Sequence, residues 1–344
     1  MKKSIKDLKN EEILQERRKR IFSLRNLLLL IISLFLVYYL LVNTDLEQAI
    51  TAINNINHSW IVLSVILYLL SNYLKSLRFA VLLKHHSIDI RTMFGIVSYQ
   101  NFFNLILPAR TGELTLIYYL KKLGGINISI GIYSLLYTRI VDLVVVAMIF
   151  IISSIIKWGL SFSLILFLLA LAILLLSVFG MFMLDSIVKL IKTIVMYMSK
   201  LFKINNKRII QKVFESLDAF YEATIAIQAT HGYSKVFVIS IIIWLNLYLI
   251  FYYNIKAFTG GISFNDVLIG ATGAVLTNVL PINSFGSFGT LEAGWTGGFL
   301  LVGMSLSDAI ITGFGSHFIM LGSAAIIVVL WKIYDTIMYK QKKK

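Results

Sequence analysis

The chain has 344 residues, 58% hydrophobic and 14% charged, with a mean hydropathy of +0.83; a water-soluble domain cannot hide that much apolar surface, so the composition reads as a polytopic membrane protein. Its net charge of +15 comes from lysines and arginines set between and beyond apolar runs, a pattern of loops facing anionic lipid rather than of a nucleic-acid surface. The absence of cysteine excludes disulfides, thiolate metal sites and cysteine nucleophiles.

Residues 1–25 are polar, with "ERRKR" at 16–20, and are predicted to form a basic cytoplasmic N-terminus. A first membrane repeat is predicted over 26–157. It opens with an apolar run from Leu27 to Val42 that lacks a small-residue cleavage site and reads as an uncleaved anchor. The segment 43–58 carries two acids and no Lys or Arg, as expected outside. A second span covers about 59–83. Residues 92–122 then read as a re-entrant hairpin: an apolar run too short to cross stops at Pro108, and "TGELTLIYYLKK" leads back to Lys121 and Lys122. A third span, about 126–156, closes this repeat.

Residues 158–184 are predicted to return inward. The section 185–235 is basic, with Ile187, Leu190, Ile191, Ile194, Val195 and Met198 interleaved among lysines; that spacing predicts an amphipathic helix on the inner leaflet. The remainder of a second repeat, 236–335, contains a fifth span, a second hairpin at 264–303 broken by Pro281, and a sixth span. A basic tail, 336–344, places both termini in the cytoplasm. The fold class expected is therefore all-α, with about six full spans plus two re-entrant broken-helix hairpins arranged as an inverted repeat.

The two hairpins share a pattern. Asn104 precedes Leu107–Pro108, followed by Gly112 and Glu113; Asn278 precedes Leu280–Pro281, followed by Gly286, Gly289 and Glu292. Pro108 and Pro281 are the only prolines of the chain, where average usage would give about seventeen. Proline blocks a helix and glycine lets the backbone turn. A helix broken at membrane depth is tolerated only where protein or a wet cavity satisfies its backbone, an arrangement typical of carriers built from inverted repeats.

Ionisable groups at that depth are functional candidates. Arg110, Glu113 and Glu292 coincide with the breaks and are the leading substrate-binding candidates, with Asn104 and Asn278 beside them. Arg139 and Asp142 share one helix face and are either substrate ligands or a buried packing pair. Pro108, Gly112, Pro281, Gly286 and Gly289 are the predicted helix-break positions. Lys75 and Arg78 are expected to snorkel to headgroups as anchors. His317 reads as a packing residue outside the site. A guanidinium fork suits a phosphate, helix N-termini add partial positive charge, and the glutamates suit a cationic group beside it; a phospholipid headgroup of mixed charge fits this set.

The stretches "LKSLRFAVLLK" (74–84), "NLILPARTGEL" (104–114), "YTRIVDL" (137–143) and "PINSFGSFGTLEAG" (281–294) resemble the flippase-like membrane region of lysylphosphatidylglycerol synthases, over about 20–335. The resemblance is to a stand-alone form without the aminoacyl-transferase domain. It implies a cell-membrane protein that moves a polar-headgroup phospholipid, such as aminoacylated phosphatidylglycerol, between leaflets, a lipid transport that supports antibiotic resistance by lowering negative surface charge. The alternative is a membrane component or subunit of a phosphatidylglycerol lysyltransferase or lipid-linked glycosyltransferase system, working with a separate soluble aminoacyl- or glycosyltransferase. With no Asp-x-Asp, Walker or zinc motif in view, no cofactor, metal site or catalytic residue is expected.

Overall fold

The computed structural model describes residues 24–84, 88–161, 163–201, 208–229, 232–279 and 285–342. Every regular element among them is helical. In chain order these are α1 (Leu24–Val42), α2 (Leu46–Asn54), α3 (His58–Leu82), α4 (Ile90–Ile106), α5 (Glu113–Gly124), α6 (Ile128–Trp158), α7 (Leu164–Leu201), α8 (Arg208–Ala229), α9 (Gly232–Phe258), α10 (Phe264–Val279), α11 (Thr290–Leu301) and α12 (Leu306–Lys342). Among the described residues, five helices are long and apolar enough to cross a membrane, or six if α1 and α2, bent by 88°, count as one span. Large apolar side chains such as Phe182, Ile165 and Leu176 lie on the outer surface, as expected where lipid rather than water surrounds the protein. The chain is a multi-pass membrane protein.

Short polar residues start the helices. Asp45 caps α2 by accepting from the amides of Glu47 and Gln48, and Asn57 and Asn127 cap α3 and α6. The segment expected only as an outer loop thus contains α2, whose Gln48 amide donates to Asp308 at the start of α12. Lys157, at the end of α6, pairs with Asp266 at the start of α10, and the Asn57 amide donates to the Ala257 carbonyl at the end of α9. The starts of α2, α3, α10 and α12 therefore lie at the same end of the bundle as the ends of α6 and α9.

Both breaks in the sequence are hairpins. Tyr99 stacks on Tyr119 and Asn104 lies over Gly112, so α4 and α5 run antiparallel. Gly270 faces Gly298 and Gly273 faces Gly294, which makes α10 and α11 antiparallel too. At 17 and 12 residues, α4 and α5 reach about 25 and 18 Å, and the second pair is similar. None matches a hydrocarbon core of about 30 Å. The first hairpin opens at the end of the bundle where α3 finishes, the second at the opposite end where α9 finishes, and their tips, Pro108–Arg110 and Phe285–Ser287, meet inside.

Close approach of α10 and α11 depends on having no side chain at the crossing, the small-residue packing common between membrane helices. A Cβ built on Gly273 would lie 2.2 Å from the Gly294 carbonyl oxygen. Gly273→Leu should therefore forfeit the folded state through overpacking of more than about 3 kcal/mol; loss of the monodisperse peak in detergent gel filtration would show it, and an unchanged peak would refute it.

Pairwise packing recurs across the two sets. α6 lies on α10 as α12 lies on α4, and α5 lies on α6 as α11 lies on α12. α3 and α9 form the most extensive pair. The outermost helices differ: α1 touches the tip of the second hairpin, whereas α7 lies along α6. The section at 185–201 is a continuation of α7 rather than a separate in-plane helix, because lysines sustain a helix well and nothing there breaks it. α8 packs back on α6, with Phe220 edge-on to Tyr133, and Lys192 of α7 pairs with Asp218 of α8. The expectations for "ERRKR", Leu280 and Pro281 lie outside the described residues.

Candidate functional site

The tip of the first hairpin forms because Leu107 takes the extended backbone that precedes proline, and Pro108 starts a single 3-10 turn. Gly112 follows, where a Cβ would meet the backbone of Phe103 and Asn104 at 2.4 Å. α5 starts at Glu113 with no side-chain cap from Gly112; the amides of Leu114 and Thr115 donate instead to the Thr111 and Gly112 carbonyls. At the second tip, Gly286 and Gly289 adopt positive φ of 66° and 80°, which only glycine takes without cost. One feature is common to both tips: a non-glycine residue in the left-handed region, Arg110 in the first and Ser287 in the second, each at φ 57°. Such strain costs about 1–3 kcal/mol and clusters at functional sites.

Between the two hairpins, α6, α9 and α12 help line a cavity of about 550 Å³. Its walls are mainly apolar, from Leu105, Leu135, Val146, Leu247, Phe251 and Trp295, with Arg110, Glu113, Arg139 and Asp142 on one side. These four form a continuous chain. Arg110 Nη1 is 3.1 Å from Glu113 Oε1, Arg139 Nη2 is 2.7 Å from the same oxygen, and Arg139 Nη1 is 3.6 Å from Asp142 Oδ2. The i,i+3 spacing of Arg139 and Asp142 thus does place both on one face, and the pair also reaches the hairpin. Asp142 is held further by Arg78 Nη1 at 2.5 Å and by the indole N–H of Trp244 at 2.9 Å. Three guanidiniums (Arg78, Arg110, Arg139) against two carboxylates (Glu113, Asp142) leave one positive charge in excess. An apolar cavity with an excess cation suits an amphipathic anion.

The remaining sequence candidates separate. Arg78 is not a headgroup anchor: it is buried, donates to Asp142 and to Ser240 at 3.0 Å, and points into the bundle because Asp142 on α6 faces it. Lys75 also turns inward, donating to Asn101 at 3.2 Å; it lines a cleft of about 90 Å³ that shares Arg139, Asp142 and Trp244 with the main cavity. Asn104 lies at the first tip, its Oδ1 buried with no hydrogen-bond partner. The side chain of Asn278 lies outside the described residues.

Glu292 does not line the cavity. Fully buried, it accepts the Gly289 N–H at 2.7 Å, the one half of a capping box that a glycine N-cap permits, and it contacts His317 Nδ1 at 2.6 Å. Glu113 opens its helix while Glu292 sits at the third position, so the two acids are not structural counterparts. His317, read from sequence as packing only, lies on the cavity wall. Trp244 and Ser240 on α9 were also missed, since nothing local marks an indole or a hydroxyl as the partner of a charge on another helix. Among the described residues no group of three or more His, Asp or Glu is placed to hold a metal.

Against this geometry, residues 26–328 match the family described as the lysylphosphatidylglycerol synthase TM region. No curated protein matches the chain.

Proposed function

The chain belongs to the lysylphosphatidylglycerol synthase TM-region family, a membership that ties it to lipid handling, and from that premise we propose that it is a lipid translocase carrying a phospholipid with a charged polar headgroup between leaflets. The observation that carries this reading is the Arg110–Glu113–Arg139–Asp142 chain on the wall of an otherwise apolar cavity, where two broken helices meet. The excess guanidinium charge would hold the phosphate. The carboxylates would face any ammonium group on the same headgroup, which makes an aminoacylated phosphatidylglycerol a fitting member of the class. Acyl chains would lie against the apolar walls.

Hairpins that open at opposite ends, with matching neighbours, support reading the halves as an inverted repeat that rocks about the shared cavity. The lysines at 84, 121 and 122 lie on the end where α3 finishes and α6 begins, and the positive-inside rule would make that end cytoplasmic, along with both termini, in the plasma membrane.

Reconstitution tests this directly. Vesicles holding the purified chain and a headgroup-labelled anionic phospholipid should transfer label between leaflets at a rate about tenfold or more above empty vesicles, a gain of roughly 1.4 kcal/mol in the barrier. Equal rates for every native phospholipid tried would sink the reading.

A further inference from the structure

His317, on the cavity wall, and Glu292, buried behind it, form an ionisable pair that headgroup binding does not use. Neither side chain has exposed surface. At 2.6 Å, His317 Nδ1 and Glu292 Oε1 share one proton, whichever atom owns it. His317 Nε2 is buried with no hydrogen-bond partner, so it is the open position for a second proton. With one proton the pair is an anion; with two it is neutral.

Each state lacks something. The anion has the Gly289 amide and the first turn of α11 to steady it, but no cation in contact among the described residues. The neutral state removes a net charge from a dry setting, yet its Nε2–H has no acceptor. The ring of Phe288 packs on the imidazole at 4.5 Å, from the tip of the second hairpin.

Other charges around the pair are few. α11 contributes Glu292 alone. α4 carries only Arg91 in its first turn, and α9 only Lys235 and Lys256 near its ends. Lys75 and Arg78 of α3 are engaged with Asn101 and Asp142, and Glu47 of α2 lies at the end of the bundle near Asp45. The same cavity is lined by Arg110, Glu113, Arg139 and Asp142. An anion seated among those arginines brings negative charge into the cavity that His317 lines. Anion binding and proton uptake therefore reinforce one another.

We propose that the His317–Glu292 pair is a proton site coupled to the cavity, so that an anionic headgroup and a proton bind together. This rests on the cavity being the headgroup site. The test uses the full chain in detergent, titrated with short-chain phosphatidylglycerol in weak buffer containing a pH-indicator dye. Wild type should take up protons as the lipid binds, and its affinity should fall about fivefold or more as the pH is raised. His317→Gln should take up no protons, and whatever affinity for the lipid it keeps should not change with pH. Glu292→Gln, whose amide oxygen can still accept from Gly289, serves as the second variant, with the same expectation. Binding by wild type without uptake or pH dependence overturns the proton site and leaves the cavity reading standing. Undiminished uptake in both variants overturns the assignment to this pair. No binding by wild type at any pH overturns the cavity reading, and the coupling with it.

Discussion

Asp142→Ala is expected to lower the stability of the detergent-solubilised protein by about 3–5 kcal/mol, the usual result of removing one member of a buried ion pair. Asp142 is where three helices converge: it receives Arg78 from α3, Trp244 from α9 and Arg139 from its own helix. The Arg78 and Asp142 side chains keep only 5% and 9% of their surface exposed. Deleting the carboxylate leaves the Arg78 guanidinium in a dry interior with Ser240 as its remaining hydrogen-bond partner. Replacing both members with apolar residues of similar volume, as in Arg78→Met with Asp142→Leu, should recover most of the loss, since desolvation offsets much of what such a pair gains. Thermal unfolding followed by tryptophan fluorescence reads both variants. An Asp142→Ala protein as stable as wild type would mean that the pair is not buried as described.

Arg139→Gln should leave insertion intact and reduce lipid transfer by roughly tenfold to a hundredfold. Among the described ion pairs, Arg139 links the first hairpin to α6, touching Glu113 at 2.7 Å and Asp142 at 3.6 Å. Its side chain is 31% exposed, so the fold leans on it less than on Arg78. Charged hydrogen bonds contribute about 1.5–3 kcal/mol, which corresponds to that range of rates at about 1.4 kcal/mol per tenfold. Arg139→Lys should fall between the two, because an ammonium keeps the charge but not the fork that reaches both acids. The leaflet-transfer assay decides. A glutamine variant within twofold of wild type would remove Arg139 from the binding role.

How much of this was legible in the sequence follows from the range over which each interaction acts. The apolar spans and the stop at Pro108 are local matters of run length, proline and glycine, and these could be read; the stop at Pro281 lies outside the described residues. The Arg139–Asp142 face is local too. The partner of Arg78 lies 64 positions away and that of Glu292 lies 25 away, so composition and spacing could only name the charges, not pair them. The snorkelling expected of Arg78 failed because a helix carrying a basic residue near its end looks the same whether the side chain meets lipid or a carboxylate. The end of α7 was misjudged because loop charge marks where a chain leaves the bilayer, while lysine does not end a helix. Glu113 and Glu292 looked equivalent since each follows a glycine, yet the extra residues before Glu292 turn it towards the backbone and His317.

The backbone at Arg110 carries one last implication. Glycine would occupy that left-handed position without penalty, and the protein keeps there a bulky cation that destabilises the turn. Sturdiness and charge compete for a single site. A screen that rewards heat tolerance alone would be drawn towards erasing the guanidinium nearest the first tip, so the most robust descendants of this chain would be poor guides to how it works.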